Sequence, residues 1–393
     1  MENQYGEIVL QKGREQSLHR KHPWIFSGAI HSATKGLTDG DLVKVYDKQR
    51  NCLGTGIFAP GSIMVRMLSF DDVNIDAQFW QSKIQGAYEY RQHILHFPAV
   101  STNAFRLIHG EGDGVPGLII DIYGKVAVVQ CHTPGIFRCL PDIVNALTNV
   151  LGDQVTTVYN KSKESLGGKN ELADGVLWGK EVESDTVSEN GHLFNVNWVE
   201  GQKTGFFLDQ RDNRRLVGEY SKDKSVLNCF SYTGGFSVYA AKNGATTVVS
   251  VDISSKAIAL AEHNATLNQC TNHQGITANV LEYLTQNKDV YDIVIVDPPA
   301  FAKSMSKRHN AIQAYKRLNT LAIKAVKPGG LLFTFSCSQV VTTQLFYDTI
   351  VAAGIEAGRN VRVMFHLSQG ADHPVNLFHP EGHYLKGLML FVE

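Results

Sequence analysis

The chain has 393 residues and a net charge of −1, and 43% of its residues are hydrophobic while 19% are charged. This length exceeds one ordinary core, so we expect two or three domains, and the composition excludes a disordered or fibrous chain. The balanced charge argues against a protein whose whole surface binds polyanions. No secretory signal or bilayer-length apolar run is visible, so the sequence predicts a cytoplasmic protein without a membrane segment.

Residues 1–72 are predicted to form a small β-barrel with a basic surface. Runs such as DLVKVYD and IMVRMLSF are short and closely spaced, with turns of Gly and Asp between them. Up to position 70, nine Lys and Arg residues stand against six Asp and Glu residues, and QKGREQSLHRKHPWIF joins basic to aromatic groups. Such a segment can hold RNA phosphates and stack on bases, although a solvated strand edge with a core Trp is the alternative. The candidate RNA contacts are Arg14, Arg20, Lys21 and Trp24.

Residues 73–190 are predicted to form a central α+β domain. Apolar and aromatic residues at helical spacing predict a helix over 75–97. A strand, a tight turn at Tyr123-Gly124-Lys125 and a second strand follow, and the Pro and glycines of 110–117 indicate a rigid approach to this hairpin. GIFRCLPDIVNALTNVL predicts one helix, and QVTTVYN predicts a strand.

From residue 224 the pattern alternates apolar strands with amphipathic helices, beginning with SVLNCF and GFSVYAAKNG. Unbroken apolar strands, each followed by a helix, indicate a parallel sheet covered on both faces, so residues 191–393 are predicted to form an α/β domain. Ligands bind such sheets outside the carboxyl ends of the strands. The residues directly after each strand are therefore the candidate site.

The first strand ends indicate a nucleoside cofactor. Gly234 and Gly235 open a helix after the first strand, and Asp252 follows the second strand, where its carboxylate can accept from two ribose hydroxyls. Eighteen residues separate Gly234 from Asp252, close to the expected spacing of about 20. The turn lacks the GxGxxG pattern of dinucleotide sites, so S-adenosylmethionine fits better, with an ordinary strand–helix turn as the alternative. Asn279 is assigned to the adenine amine through its amide oxygen.

The next two strand ends carry groups that can react with a base. Two prolines follow Asp297 in DPPAF, so the carboxylate and the carbonyl of Pro298 are expected to face the cleft as acceptors for an amino group, unless Asp297 only caps a helix. Cys337 ends the following strand at the same edge, where a thiol can add to an electron-poor carbon. Cys229 lies inside the first strand and is assigned to the core.

Several motifs together resemble one family. Over nearly its whole length the chain resembles the bacterial 23S ribosomal RNA cytosine-5 methyltransferases that carry an N-terminal PUA domain. The resemblance implies a multi-domain α/β protein with a PUA-like β-barrel, a central α+β domain and a C-terminal Rossmann-like class I methyltransferase domain with a mostly parallel sheet. The motifs are FRLIHGEGDGVPGLIIDIYG, GFFLDQRDNRR, LNCFSYTGGFSVYAA, VVSVDIS, DPPAFAKS, LLFTFSCS, ADHPV and PEGHYLKG.

The resemblance also implies roles for individual residues. Cys337 would attack C6 of a cytosine, and Asp297 would hold the base at N3 and N4. Many members of the family carry a second Cys that assists release, whereas this chain has Ala300, and His373 is a candidate helper. The implied cofactor contacts are Phe207, Gln210, Phe230, Tyr232, Gly234, Gly235, Asp252, Asn279 and Asp297, with Phe206 beside Phe207, and the further RNA contacts are Arg211, Pro298 and Phe301.

Three functions stay open at this point. The first is methylation of C5 of a cytosine in large-subunit ribosomal RNA with S-adenosylmethionine, and the second is methylation of an exocyclic base amine, which needs the DPPAF acceptors but no nucleophile. The third is an RNA-binding ribosome assembly factor with a vestigial cofactor pocket. No metal is expected, because the six cysteines form no Cys-x-x-Cys pair and the histidines 366, 373, 379 and 383 are irregularly spaced. The sequence leaves monomer and homodimer open.

Overall fold

The computed structural model describes residues 5–167, 173–287 and 289–393, which fold as two compact units. One unit contains the described residues up to Val187, together with Val196–Phe206 and Ala371–Gly382. The other contains Ser188–Asn195, Phe207–Gly370 and His383–Glu393. Within the described residues, no helix is both long and apolar enough to cross a membrane. The predicted domain boundaries near residues 73 and 191 stay predictions.

The N-terminal part of the first unit is a six-stranded sheet of short strands. Side chains alternate across its pleat, and Ile8, Val43, Val45 and Val65 are fully buried on the inner side. The short strands predicted from the sequence are therefore present. In the order β2-β6-β5-β4-β1-β3, the sheet contains β1 (Gly6–Leu10), β2 (Trp24–Phe26), β3 (Ile30–Ala33), β4 (Leu42–Tyr46), β5 (Cys52–Phe58) and β6 (Ile63–Ser69), and α1 (Gln16–His19) lies between β1 and β2.

A five-stranded sheet packed against helices completes the first unit. The first helix packed against this sheet is α2 (Ala77–Glu89). Asp76 caps it, because its carboxylate accepts a hydrogen bond from the backbone N of Phe79 at 2.9 Å. Trp80 and Ile84 of this helix are fully buried in the core. The sheet has the order β11-β10-β9-β8-β7 and contains β7 (Ala104–His109), β8 (Leu118–Tyr123), β9 (Val126–Cys131), β10 (Thr157–Asn160) and β11 (Gly175–Gly179).

The single helix predicted over residues 135–151 is two helices in the structure. These are α3 (Pro134–Arg138) and α4 (Leu140–Leu151), with the break at Cys139. The physical reason is Pro141, which has no backbone N–H and is tolerated in the first turn of a helix but not in its interior. The predicted hairpin is confirmed, because β8 and β9 pair antiparallel up to the partners Tyr123 and Val126.

The second unit is built on a seven-stranded sheet with the order β16-β15-β14-β17-β18-β20-β19. Neighbouring strands from β16 to β18 pair parallel, while β20 pairs antiparallel with β18 and β19. The strands are β14 (Ser225–Cys229), β15 (Thr247–Asp252), β16 (His273–Thr277), β17 (Tyr291–Val296), β18 (Val326–Ser336), β19 (Val361–Leu367) and β20 (Lys386–Val392), while β12 (Ser184–Glu189) and β13 (His192–Asn197) pair with each other.

Helices cover both faces of this sheet. Ile293 and Ile295 belong to the same buried cluster as Phe236, whereas Val294 and Val296 pack in a second cluster with Leu318. The predicted two-sided, mostly parallel sheet is confirmed, and its strand order reverses between β14 and β17, where such sheets form a crevice. The helices are α5 (Arg211–Tyr220), α6 (Gly235–Lys242), α7 (Ser255–Leu267), α8 (Val280–Gln286), α9 (Arg308–Ala325) and α10 (Thr343–Ala357).

A buried ion pair holds part of the first unit together. The guanidinium of Arg91 is fully buried and donates to both carboxylate oxygens of Asp113, at 2.5 and 2.8 Å. It also donates to the carbonyls of Arg106 and Asp372, each at 2.8 Å. These bonds join the helical turn Tyr90–Ile94, which follows α2, to β7 and to the segment around Asp372.

We expect Arg91→Met to lower the free energy of unfolding by about 3–5 kcal/mol, because Asp113 would stay buried without its counter-ion. Denaturant unfolding followed by circular dichroism measures this loss. The control is Arg138→Met, which removes an ion pair to Asp41 whose Arg side chain is 54% exposed, and we expect it to change stability by less than about 1 kcal/mol. Equal losses in the two variants would contradict the role of burial.

Candidate active site

The loop after β14 has a strained backbone. Phe230 and Tyr232 have positive φ angles of 57° and 45°, a region that side chains with a Cβ rarely adopt. Gly234 follows with a φ of 76°, and a Cβ at this position would lie 2.9 Å from the Cβ of Ala261. Strain of this kind is concentrated where a backbone is shaped to hold a ligand.

Asp252, at the end of β15, holds this loop in place. Its Oδ2 accepts from the backbone N of Tyr232 and its Oδ1 from that of Ser254, both at 2.9 Å. The carboxylate is half-buried and each oxygen keeps a further lone pair. Beside it, the Oγ of Ser231 is buried and has no hydrogen-bond partner among the described residues. Two free acceptor positions and an unpaired hydroxyl fit a polar nucleoside ligand in this loop.

Phe207, which precedes α5, contacts the loop after β14. The rings of Phe207 and Tyr232 meet edge to face with centroids 5.3 Å apart. The carbonyl of Phe207 accepts from Nη1 of Arg214 at 2.9 Å, which fixes the chain at this point. Phe206 is different, because it belongs to the first unit, where it is buried and its backbone N donates to the hydroxyl of Tyr123.

Asn279 has a local structural role. Its Oδ1 accepts from the backbone N of Leu281 at 2.9 Å and from that of Glu282 at 3.3 Å, so it caps α8. The oxygen predicted to accept from the adenine amine is therefore already engaged. The contact between Asn279 and the cofactor stays a prediction, as do the roles of the other predicted site residues.

Asp297 follows β17 and is oriented by a chain of amides. Nε2 of Gln210 donates to its Oδ2 at 2.9 Å, and Oε1 of Gln210 accepts from Nδ2 of Asn213 at 2.6 Å. Burial raises the pKa of Asp297 to about 7, and the negative charge of Asp209 adds to this shift. At neutral pH the carboxyl is therefore present in both its neutral and its ionised form.

The sheet register brings Asp297 and Cys337 to one edge and one face. Ile295 of β17 is paired with Phe333 of β18, and both belong to the cluster against which Cys337 packs. Side chains alternate along a strand, so Asp297 and Cys337, each an even number of residues beyond this pair, continue the same face. Burial raises the pKa of Tyr315 to about 12, and the charges of both Cys337 and Asp297 add to the shift, so both groups lie within electrostatic reach of its hydroxyl.

The surroundings distinguish Cys337 from Cys229. Cys337 is half-buried between two buried serines, and Oγ of Ser338 donates to the carbonyl of Ala302 at 2.6 Å, which ties the end of β18 to the DPPAF loop. Cys229 is fully buried, and burial raises the pKa of its thiol, as expected for a core residue. In the DPPAF loop, Pro298 is buried, while Phe301 is half-buried with its ring centroid 4.6 Å from that of Tyr315.

The basic segment of the first unit is exposed as expected. Arg14, Arg20 and Lys21 are exposed, and Trp24 is half-buried with its Nε1 donating to Glu111 at 2.8 Å. A cleft of about 530 Å³ beside them is lined by Ser17, Arg20, His22, Phe26 and Phe378, of which Phe26 and Phe378 are 48% and 50% exposed. The cleft thus combines one arginine with two half-exposed aromatic rings.

Arg211, a predicted RNA contact, and His373, a candidate helper in release, are both buried. Arg211 is buried, with Nε 3.4 Å from the carboxylate of Glu189, and its contact with RNA stays a prediction. His373 belongs to the first unit, is buried, and lies 3.0 Å from Oδ1 of Asp372 through its Nδ1. Within the described residues, one group of potential metal ligands converges, namely His22, His379 and Glu381, with ligand atoms within 4.8 Å of one another.

The sequence reasoning missed a buried pair that supports the site. Nε and Nη2 of Arg214 donate to the two carboxylate oxygens of Glu189 at 2.8 and 2.7 Å. The methylene groups of Arg214 come so close to Gly235 that a Cβ there would lie 3.0 Å from Cδ. No spacing rule links Glu189 to Arg214, so no signal in the sequence pointed to this pair.

Comparisons with known proteins agree with this geometry. A family model described as S-adenosylmethionine-dependent methyltransferase matches residues 166–355, and a model of the PUA-like domain matches residues 8–70. The crystal structure of SMU.776, a methyltransferase candidate complexed with SAH, superimposes with a TM-score of 0.85 at 26% identity and covers 98% of this chain and 99% of its own. The fold and the loop thus define an S-adenosylmethionine-dependent methyltransferase with a PUA-like domain, as the sequence predicts.

Proteins of similar sequence identify the family within this class of methyltransferases. Ribosomal RNA large subunit methyltransferase I of Alteromonas mediterranea is 41% identical, with 98% of each chain covered. The protein of the same name from Vibrio vulnificus is 40% identical, with 97% of this chain and 98% of the relative covered. The chain belongs to the family of ribosomal RNA large subunit methyltransferase I. The family resemblance inferred from the motifs is confirmed.

We expect Asp252→Ala to weaken S-adenosylmethionine binding by about 10- to 100-fold, since hydrogen bonds to a charged group contribute about 1.5–3 kcal/mol. Isothermal titration calorimetry of the full chain measures the affinity. Asp348→Ala, which removes an exposed carboxylate of α10, is the control and should bind normally. Unchanged affinity in Asp252→Ala would remove this residue from the cofactor site.

We expect Asp297→Asn to stabilise the protein increasingly as pH rises from 4 to 8. The unfolded carboxyl has a pKa of 3.8 and the folded one about 7, so the folded state binds more protons between these values and loses stability as pH rises through them. The gain is near zero at pH 4 and at most about 4 kcal/mol at pH 8. Urea unfolding at several pH values measures it.

Asp292→Asn is the control for this measurement, because the pKa of Asp292 is shifted in the opposite direction. Although burial raises the pKa of Asp292, hydrogen bonds from Ser225 and the ammonium of Lys327 outweigh it and lower the pKa to about 2. Its contribution to stability is present above pH 4 and is lost as pH falls through 2, so Asp292→Asn should destabilise at pH 8. A gain in Asp297→Asn that does not depend on pH would show that the carboxyl is not desolvated.

Proposed function

We propose that the chain methylates C5 of a cytosine in large-subunit ribosomal RNA through a covalent bond between Cys337 and C6. The observation that carries this proposal is the edge geometry, in which Cys337 and Asp297 follow adjacent parallel strands on one face of the sheet. The strained loop after β14 and Asp252 lie at the same edge. The relatives named ribosomal RNA large subunit methyltransferase I support ribosomal RNA as the substrate.

A nucleophile is needed because a ring carbon of cytosine is a poor nucleophile by itself. Addition of a thiolate to C6 turns C5 into an enamine carbon, and a proton given to N3 makes that addition easier. A carboxyl with a pKa of about 7 can donate this proton near neutral pH. The hydrogen bond from Gln210 keeps the Asp297 carboxyl oriented while it does so.

Sγ of Cys337 bonds to C6, the C5–C6 π pair moves to C4–C5, the C4–N3 π pair moves to N3, and N3 takes the proton of Asp297. Loop 230–235 and Asp252 would hold S-adenosylmethionine. The electron pair at C5 bonds to its methyl carbon, the S–CH3 bond breaks with its electron pair going to sulfur, and S-adenosylhomocysteine is the leaving group. A base removes the C5 proton, the C6–S bond breaks, Cys337 leaves as a thiolate, and the N3 proton returns to Asp297. Since position 300 is Ala, this base is not a second thiol of the DPPAF loop.

The first unit is proposed to bind the RNA around the target. Arg14, Arg20 and Lys21 are exposed cations, and the cleft next to Arg20 offers Phe26 and Phe378 for stacking. A base that is paired in the RNA must be flipped out to reach the sheet edge, which costs a few kcal/mol. Contacts to the phosphates make binding dependent on salt.

We expect RNA containing 5-fluorocytidine to form a covalent adduct with the protein in the presence of S-adenosylmethionine, because fluorine at C5 cannot be removed as a proton. Denaturing gels and mass spectrometry of the labelled peptide detect the adduct at Cys337. Cys337→Ser should form no adduct and should lose methylation. Cys270→Ser, which alters a half-buried thiol between α7 and β16, is the control and should still form it.

The other outcomes identify the competing functions. Methylation that persists in Cys337→Ser, with no adduct, would favour transfer to an exocyclic amine. Absence of S-adenosylmethionine binding in calorimetry would favour an RNA-binding assembly factor. Either result would overturn the proposal.

A further inference from the structure

Two histidines and one glutamate of the first unit converge beside the N-terminal sheet. His22 precedes β2, whereas His379 and Glu381 belong to the segment Ala371–Gly382, which joins the same unit from near the other end of the chain. Each of the three offers a potential metal-ligand atom, and these atoms all lie within 4.8 Å of one another. The irregular spacing of the histidines, on which the expectation of no metal is based, carries no information about ligands that come from such distant segments.

The carboxylate of Glu381 faces both imidazoles. Nε2 of His22 lies 3.8 Å from its Oε1, and Nε2 of His379 lies 3.8 Å from its Oε2. Both distances are too long for a hydrogen bond, since N–H···O bonds end at about 3.2 Å. In a tetrahedral zinc site with bonds of about 2.0–2.1 Å, neighbouring ligand atoms lie roughly 3.3 Å apart. Small rotations of the side chains therefore bring all three groups onto one ion.

His379 is buried without a hydrogen bond from its ring. The residue is 3% exposed, and neither Nδ1 nor Nε2 has a hydrogen-bond partner among the described residues. The ring packs against that of Trp24, with centroids 4.3 Å apart and planes at 67°. Burying polar nitrogens without partners is unfavourable, and such groups in a folded protein call for an explanation such as a bound ion.

The imidazole of His22 is oriented for the same role. Its Nδ1 lies 3.3 Å from the carbonyl O of Trp24 and 3.2 Å from the backbone N of the same residue. With the proton on Nδ1 donating to this carbonyl, Nε2 keeps a lone pair on the side of Glu381. Metal-binding histidines are held in this way, by a hydrogen bond from the second ring nitrogen to a carbonyl or carboxylate.

We propose that His22, His379 and Glu381 bind a Zn²⁺ ion that ties the segment Ala371–Gly382 to the N-terminal sheet. Two imidazoles and one carboxylate are a ligand set that zinc proteins use, with the fourth position left to water or another ligand. Imidazole also suits zinc better than it suits Mg²⁺ or Ca²⁺, which prefer oxygen ligands. This site lies apart from Cys337 and Asp297, so it does not depend on the proposed methylation.

The site is open to zinc from solution. The side chain of Glu381 is 51% exposed and that of His22 is 20% exposed, and His22 also lines the cleft beside Arg20. An ion can therefore enter the folded protein and keep a water molecule in its fourth position.

Isothermal titration calorimetry of the full chain, free of any affinity tag, with zinc chloride tests the proposal. We expect one ion per chain. Glu381→Gln, which keeps the size of the side chain but removes the anionic ligand, should weaken binding by at least about tenfold, and His379→Ala should weaken it further. The control is His31→Ala, which removes an exposed histidine of β3 and should bind zinc like the unmodified chain.

X-ray absorption of the zinc-loaded chain identifies the ligands. We expect nitrogen and oxygen ligands at about 2.0–2.2 Å, with imidazole among them, and no sulfur at about 2.3 Å. A sulfur ligand would place the ion at one of the six cysteines and would overturn the proposal.

Amide hydrogen exchange measures the tie between the two segments. Zinc should slow exchange within Ala371–Gly382 in the unmodified chain and in His31→Ala, but not in Glu381→Gln, because an ion that binds only the closed arrangement stabilises it. Unchanged exchange in this segment of the zinc-loaded chain would overturn the tie.

Two results of the titration would overturn the site itself. Absence of binding by the unmodified chain at millimolar zinc would do so without any variant, so misfolding of His379→Ala cannot hide the answer. Equal affinity in the unmodified chain and in Glu381→Gln would show that the ion binds elsewhere. These measurements use neither RNA nor S-adenosylmethionine, so a missing 5-fluorocytidine adduct would sink the proposed function and leave the zinc site standing.

Discussion

The backbone ladders on the two sides of β18 are the constraint on which the site depends. The parallel ladder to β17 aligns Ile295 with Phe333, and this brings Asp297 and Cys337 to one edge and one face. The antiparallel ladder to β20 sets Ser336 opposite Lys386. Because side chains alternate along each strand, a slip of one residue in the ladder between β17 and β18 would turn Asp297 or Cys337 to the other face.

Burial has opposite effects on the acid and the base at this edge. It raises the pKa of Asp297 to about 7 and lowers that of Lys386 to about 8, since low polarity disfavours the charged form of each. Both groups therefore exchange protons near neutral pH. In the proposed reaction the neutral form of Asp297 is the proton donor to the base.

Much of the second unit follows from local patterns. The apolar strands and the helices after them lie where the sequence predicts, and the loop from Phe230 to Gly235 has the unusual backbone expected of a ligand-binding turn. The prediction of one helix over 135–151 was wrong, because the apolar periodicity continues through Pro141 while the backbone hydrogen bonds do not. The Glu189–Arg214 pair was missed because its members are distant in sequence.

The sequence by itself determined the class of fold, and it identified the loop after β14, Asp297 and Cys337 as candidates for the site, since each depends on the residues directly after a strand. Only the tertiary structure decided the charge of these groups and their partners. Arg211 is a basic residue in the sequence but a buried ion-pair member in the fold, and Lys386 is a buried lysine whose Nζ donates to the carbonyl of Ser338. The reason is physical, because burial and the neighbours that shift a pKa come from chain segments far apart in sequence.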